Sequence, residues 1–373
     1  MKVLLVGNYE LDGSTSMHVW VRAIERELLQ LGIHVRVVAP RPVLGRLNPS
    51  SSGFGKWLGY VDRYLIFPKA LRAAAAEADL VHICDHGSAM YCPMLSKPTV
   101  VTCHDMLAVR GALGEIPQMR ASWFGRYLQS WICKGLRQAT RVVCISEATY
   151  EDASRILGRR DHLRIVLNGL NYPFRHIDDE EAARRLATVT DLTRPFLLHI
   201  GSSHPRKNRD GVLRVFAAVA AQSGVAQMQL VFAGEPLDKN LLLLADKLGV
   251  RAQVVQVINS DVGVVEALYN RAVVLLFPSR YEGFGWPPIE AQACGCPVVG
   301  SNIPPLAQVL NGSAVLHRLD DEAGMAASVL KLATDGEYRN RMTQLGLENV
   351  RSRFQTSRMI GDYIAIYNEL TSP

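Results

Sequence analysis

The chain has 373 residues, 48% hydrophobic and 20% charged, a globular balance that excludes a disordered polymer and, at this length, favours two domains over a single core. No apolar run approaches the ~18 residues of a membrane-spanning helix. Seven scattered cysteines form neither a disulfide framework nor a zinc-ligand spacing, so a reducing, cytoplasmic setting is expected.

The net charge of +6 is lopsided: residues 1–170 hold 21 Lys and Arg against 14 Asp and Glu, so the basic excess lies in the first half and bears on its partner. The opening KVLLVG reads as a buried strand, its apolar run being too short for a signal peptide. Met17, Trp20, Val21, Ile24, Leu28 and Leu31 recur at helical spacing, which predicts a helix over 17–31. HVRVVAP, LVHIC, TVVTC and RVVCIS are further strands, with helices expected around 56–78, 120–138 and 147–157. These strands are continuous apolar runs, as parallel strands covered on both faces are, and repeated β–α units imply a doubly wound sheet. A polar stretch interrupts the alternation over 168–194, and PFLLHIG, MQLVFAG, AQVVQV, VVLLFP and CPVVG restart it. The fold class is α/β, with two Rossmann-like domains and an all-helical final segment.

Two stretches carry chemistry. In LLHIGSSHPRKNRDGVLRVF a turn after Gly201 leads to Arg206 and Lys207 and then a helix from about Asn208. In doubly wound folds ligands sit beyond the carboxyl ends of the strands, and two cations beside a helix N-terminus there suit a diphosphate. The bland alternative is a solvated basic turn. In SRYEGFGWPPIEAQACGCPVVGSN, residues 279–302, Gly283, Gly285, Pro287 and Pro288 exclude one regular element. A bent loop feeding a helix that begins near the prolines places Glu282 in the loop and Glu290 near the helix start, and both can point into one crevice.

The joint order of these features resembles the retaining glycosyltransferases of GT-B architecture often called family four, or glycosyl transferases group 1, over nearly the whole chain. The most specific element is E-x7-E, here Glu282 to Glu290; VTCHD at 101–105, CISEAT at 144–149, LNGLN at 167–171, RKN at 206–208 and FAG at 232–234 follow in family order. The resemblance implies an acceptor-side domain over 1–170, a nucleotide-sugar-binding domain over 171–354 facing it across a cleft, and a terminal helix over 355–373 returning to the first domain. It also implies that Glu290 accepts from ribose hydroxyls, that Arg206 and Lys207 neutralise the diphosphate, and that Glu282 engages hexose hydroxyls. Backbone N–H groups of Phe284, Gly285 and Trp286, beside Gly283, would reach the sugar and phosphate, with Gly201 and the Gly13–Ser14 loop lining the donor. His104 would contact the donor sugar; the alternative is a buried structural histidine with Asp105 as its partner. The chain departs from the family in having only Gly13 in the first loop and in placing Trp286 where an aliphatic residue is commoner.

The expected function is transfer of a hexose from a nucleoside-diphosphate sugar, UDP-glucose ahead of GDP-mannose, to a glycan or lipid-linked acceptor. No Asp-x-Asp occurs, so no metal or cofactor is expected, and Arg206 and Lys207 take the metal's role. Same-face attack, with the departing phosphate taking the acceptor's proton, accounts for retention without a carboxylate nucleophile. Lys56, Trp57, Tyr60, Arg63, Tyr64, Phe67, Lys69 and Arg72, with Arg110, Arg120, Trp123, Phe124 and Arg126, interleave aromatic and basic residues. They suit a peripheral membrane contact or a lipid-diphosphate acceptor; a helix packing its aromatics on the sheet is the alternative, and no nucleic-acid reading motif is present. An epimerase of the same architecture and a nucleotide-sugar-binding subunit without turnover are the competing functions.

Overall fold

The computed structural model describes residues 1–13, 15–49, 53–187, 189, 192, 194–225 and 227–372, so Ser14 lies outside the described residues. The chain divides into two compact units, residues 1–172 with 356–373, and residues 173–355.

The first unit holds six parallel strands, β1 (Lys2–Val6), β2 (His34–Val38), β3 (Leu80–Ile83), β4 (Thr99–Cys103), β5 (Arg141–Cys144) and β6 (Leu163–Ile165), in the order β2-β1-β3-β4-β5-β6. The second holds β7 (Phe196–Gly201), β8 (Gln229–Gly234), β9 (Val254–Ile258), β10 (Val274–Phe277), β11 (Val298–Ser301) and β12 (Val315–His317), also parallel, in the order β12-β11-β10-β7-β8-β9. Both are doubly wound α/β sheets. Their central strands are buried along their length, Val81, Ile83, Val100 and Val101 in one sheet and Leu197, Leu198, Leu275 and Leu276 in the other. Uniform burial fails at the edge: β2 has one face open to solvent, with His34 and Arg36 exposed. The edge strands β6 and β12 are three residues long, too short for a sequence pattern.

The strand order reverses between β1 and β3 in the first unit and between β7 and β10 in the second. At such a point the loops leaving two adjacent strands diverge to opposite faces and open a crevice. This topology, more than any single residue, decides where ligands can sit.

The helix expected over 56–78 is not continuous. It runs as Gly53–Val61, a wide five-residue turn Asp62–Ile66, and Phe67–Ala76. Asp62, 1% exposed, accepts from the backbone N–H groups of Val43, Leu44 and Gly45 at 3.1, 2.9 and 2.9 Å and from the Tyr9 hydroxyl at 2.8 Å. Anchoring one helical side chain to three donors of the 43–45 loop and to Tyr9, just ahead of Pro68, accommodates the local widening.

The final helix, Thr356–Thr371, belongs to the first unit. Tyr363 and Tyr367 are fully buried and join a polar chain through the sheet: Tyr367 hydroxyl to His82 Nδ1 at 2.6 Å, His82 Nε2 to Thr102 Oγ1 at 2.8 Å, and Thr102 Oγ1 to the Tyr363 hydroxyl at 2.8 Å. Burial pushes the His82 pKa down to about 3, so the ring is neutral and has one donor and one acceptor to satisfy. Tyr367→Phe leaves one ring nitrogen buried without a partner. It is expected to cost about 1–3 kcal/mol, read as an earlier urea midpoint of the first unit's transition; an unmoved midpoint would show that the hydroxyl carries no such bond.

Candidate active site

At the reversal point of the second sheet, the backbone of β7 and β8 comes first. Gly201 pairs in register with Gly234. Gly234 has φ +122°, and a Cβ there would lie 2.6 Å from the Gly201 carbonyl oxygen, so only glycine fits. The turn that follows is held by Glu235, which accepts from Ser203 N at 2.9 Å. His204 then caps the short helical turn Pro205–Lys207, its Nδ1 accepting from Arg206 N at 3.2 Å.

Two stitches tie this turn to the loop leaving β10. Arg280 N donates to the Arg206 carbonyl at 2.7 Å, and Asn208 Nδ2 donates to the Pro278 carbonyl at 3.0 Å. Asn208 takes the left-handed conformation (φ 54°) to begin the helix Arg209–Ala220. The Arg280 guanidinium donates in turn to Asn208 Oδ1.

The result is an ion triad. Glu282 Oε1 lies 2.7 Å from Lys207 Nζ, and Glu282 Oε2 lies 2.8 Å from Arg206 Nη1. Lys207 is not the surface cation that a basic turn suggests: it is only 6% exposed. Its stem lies where a Cβ on Gly201 would be, 3.2 Å away, and its ammonium stands 4.6 Å from the Phe277 ring centroid. Burial lowers the Lys207 pKa against the opposing pull of Glu282. For Glu282 burial alone would raise the pKa, but Lys207 and Arg206 outweigh it and hold the carboxyl below its ordinary value. The triad carries two positive charges and one negative. A desolvated group with a residual +1 attracts an anion more strongly than a solvated pair does.

Glu290 projects from the helix Trp286–Ala293 and accepts from the Tyr269 hydroxyl at 2.9 Å. Burial pushes its pKa up to about 7, with Tyr269 and Lys207 opposing. Lys207 thus acts electrostatically on both carboxyls, holding Glu282 down and opposing the rise at Glu290. The loop between the carboxyls is set by its own packing. Gly285 has φ +112°, and a Cβ there would meet Leu306 Cδ2 at 2.5 Å, so glycine is required by the fold before any ligand is considered. Phe284 is 3% exposed and packs its ring on Trp286 and Phe354.

In the first unit His104 follows β4, 7% exposed. Its Nε2–H donates to the Cys84 carbonyl at 2.9 Å, and the Trp20 ring meets it edge-on at 5.0 Å. Burial lowers its pKa, Asp85 opposing, so the ring is neutral with Nδ1 as its acceptor nitrogen. The neighbouring Asp105 accepts from Leu107 N at 2.9 Å and so serves the next helix. Gly13 closes the turn Glu10–Asp12 with φ +66°. Sequence reasoning missed Tyr269, which sits in a helix with nothing to mark it.

Chemically, the second unit presents an anion-attracting cation pair, an ionised carboxylate and a carboxyl poised near neutrality at a sheet reversal point, a combination matched to an anionic, hydroxyl-rich ligand. The family described as "Glycosyl transferases group 1" matches residues 181–348, and "Glycosyltransferase Family 4" matches residues 17–172. The chain belongs to the group 1 glycosyltransferases and is a hexosyltransferase of the GT-B fold. It is 24% identical over 358 residues to O-antigen chain mannosyltransferase B of Escherichia coli, covering 93% of this chain and 91% of that protein. Among solved structures it is similar to sucrose-phosphate synthase from Thermosynechococcus elongatus, with TM-score 0.78 and 19% identity over 99% of each chain. It is also similar to Anabaena HepE in complex with UDP-glucose, with TM-score 0.75 and 16% identity over 99% of this chain and 100% of that one.

Two outcomes test this geometry. Lys207→Ala strands a buried carboxylate with one partner instead of two and is expected to cost about 1–3 kcal/mol of stability. The Lys207→Ala/Glu282→Ala pair should then cost less than the two singles together; strict additivity in denaturant melts would show that the residues do not interact. Glu290 binds its proton more tightly folded than unfolded, so its contribution to stability is full below pH about 4.5 and is lost as pH rises through about 7. Glu290→Gln should therefore gain on the wild type in melting temperature between those values, and a gap independent of pH would contradict the shift.

Proposed function

We propose that the enzyme moves a hexose from a nucleoside-diphosphate sugar to a hydroxyl of a glycan or lipid-linked acceptor with retention of configuration. The observation that carries this reading is the Arg206–Glu282–Lys207 triad at the β7/β10 reversal point. The diphosphate binds the two cations, which stabilise the charge that grows on the leaving phosphate. Glu290 accepts from the ribose hydroxyls and Glu282 from the hexose, while N–H groups of the 283–286 loop approach the donor and His104 contacts its sugar.

With Glu282 assigned to the hexose hydroxyls and Glu290 to the ribose, neither carboxylate is left to attack the anomeric carbon, which favours same-face attack. The bond from the anomeric carbon to the phosphate oxygen breaks, the acceptor oxygen bonds on the same face, and the acceptor's proton passes to the departing phosphate. Arg206 and Lys207 supply the positive charge that a divalent ion supplies elsewhere.

A mannosyl donor is favoured by the relative that matches nearly end to end, a mannosyltransferase. UDP-glucose is the second reading, favoured by the HepE complex of the same fold. A lipid-linked acceptor, with peripheral contact at a membrane's inner face, is supported by the first unit's surface. There Trp57 packs on Tyr60 and Phe124, while Phe54, Trp57 and Trp123 are 70, 53 and 80% exposed.

The test is a thermal-shift panel of UDP, GDP, ADP and their sugars in the presence of chelator. A cognate ligand at a hundred times its dissociation constant should add about 2.7 kcal/mol of stability. No shift from any nucleotide sugar in chelator would overturn the reading.

A further inference from the structure

Glu290 is assigned above to the donor's ribose, and a residue of another helix aims it. Tyr269 is fully buried in the helix Val262–Arg271, and its hydroxyl donates to Glu290 Oε2 at 2.9 Å. Oε1 of the same carboxyl has no hydrogen-bond partner among the described residues. One oxygen is anchored from within the protein, and the other is left for a ligand. The anchor is itself held. Glu266, Tyr269 and Asn270 stand at i, i+3 and i+4, on one face of their helix. Glu266, 2% exposed, accepts from Arg175 N at 3.0 Å and from Arg185 Nη1 at 2.7 Å. Asn270 accepts from Ile177 N at 3.0 Å and donates to the Arg175 carbonyl at 3.0 Å, while the Tyr269 ring meets Phe174 edge-on at 5.7 Å. These contacts with the 174–177 stretch fix how the helix is turned about its axis, and so where the phenol points.

We propose that Tyr269 is a positioning residue for the donor's ribose: by holding Glu290 Oε2 it fixes the direction in which Oε1 meets the ribose hydroxyls, and so makes the site select a ribonucleotide over its deoxy counterpart. The inference rests on Glu290 being the ribose acceptor and adds what orients it. Two effects of the phenol act in the same sense. A carboxyl held at one oxygen has already lost the rotation that binding would otherwise have to freeze. A donor to the carboxylate also favours its charged form, the stronger acceptor for hydroxyls. Burial works against that charge, and Tyr269 and Lys207 oppose burial. Burial pushes the Tyr269 phenol well up, so it stays a donor, and pushes up the thiol of Cys294 at the end of the Glu290 helix, so that neighbour stays neutral.

The test compares the ribo and 2′-deoxyribo forms of UDP, GDP and ADP by calorimetry on the full-length protein as pH is varied. The wild type should prefer the ribo form of its cognate nucleotide, the preference growing as pH rises through about 7 and Glu290 ionises. Tyr269→Phe keeps the ring beside Phe174 and should melt near the wild type, while the preference falls roughly fivefold or more and its midpoint moves to higher pH. Tyr269→3-fluorotyrosine, a stronger donor of nearly the same shape, should move that midpoint to lower pH. A phenol that only supports the fold would, when removed, weaken both forms alike; an unchanged preference with an unmoved midpoint in the two variants overturns the proposal. A wild type that binds ribo and deoxyribo forms equally removes the ribose assignment of Glu290 instead, and the proposal falls with it.

Discussion

The second unit's site is organised by one carboxylate, Glu282, held between Arg206 and Lys207. Each partner arrives on a different strand's loop, the cations from β7 and the acid from β10. The pair can meet only because those loops are stitched together by Arg280 N to the Arg206 carbonyl and by Asn208 to the Pro278 carbonyl. A lysine buried to this degree is tolerable only with its counter-ion in place. The glycines at 201 and 234 then read as clearance for the Lys207 stem and for the neighbouring strand end.

Because the triad holds two cations to one anion, Glu282 satisfies the cations without neutralising them. In the proposed reaction a diphosphate competes with Glu282 for Arg206 and Lys207, and the acid it displaces becomes available to the hexose hydroxyls. Ligand-free pairing and donor binding are then two uses of the same charges. Glu290 is placed differently: its partner is the neutral Tyr269 hydroxyl, and its raised pKa is what burial beside a weak donor produces. Two carboxyls eight positions apart end in opposite ionisation regimes because one faces cations and the other a phenol.

Much of this was readable in advance, for a physical reason in each case. Buried parallel strands are continuous apolar runs, so β1, β3, β4, β5, β7, β8, β10 and β11 announce themselves, and HVRVVAP and AQVVQV mark β2 and β9 although their burial is interrupted; β6 and β12 are too short to. The cation pair and E-x7-E were visible because charge beside glycine and proline breaks local periodicity. What stayed hidden depends on long-range contact. The burial of Lys207 follows from Phe277, seventy residues away, and the break at Asp62 from a loop near 43–45. The Tyr367–His82–Thr102–Tyr363 chain joins residues as far as 285 positions apart. Nothing local to any of these residues specifies its partner.

The lopsided charge also resolves once pairing is known. Many of the first unit's arginines are spent on neighbours: Arg110 and Arg155 on Glu115 and Asp152, Arg159 on Asp161, Arg160 on Glu151, and Arg141 and Arg164 on Glu369 of the terminal helix. Among the described residues, no ion pair engages Lys56, Lys69, Arg72, Arg120 or Arg126. Of these, Lys56, Arg120 and Arg126 neighbour Trp57 and Trp123 in the chain, whose rings remain largely exposed although Tyr60 and Phe124 pack beside them. Exposed rings and unpaired cations are what the lipid-linked acceptor proposed above would meet.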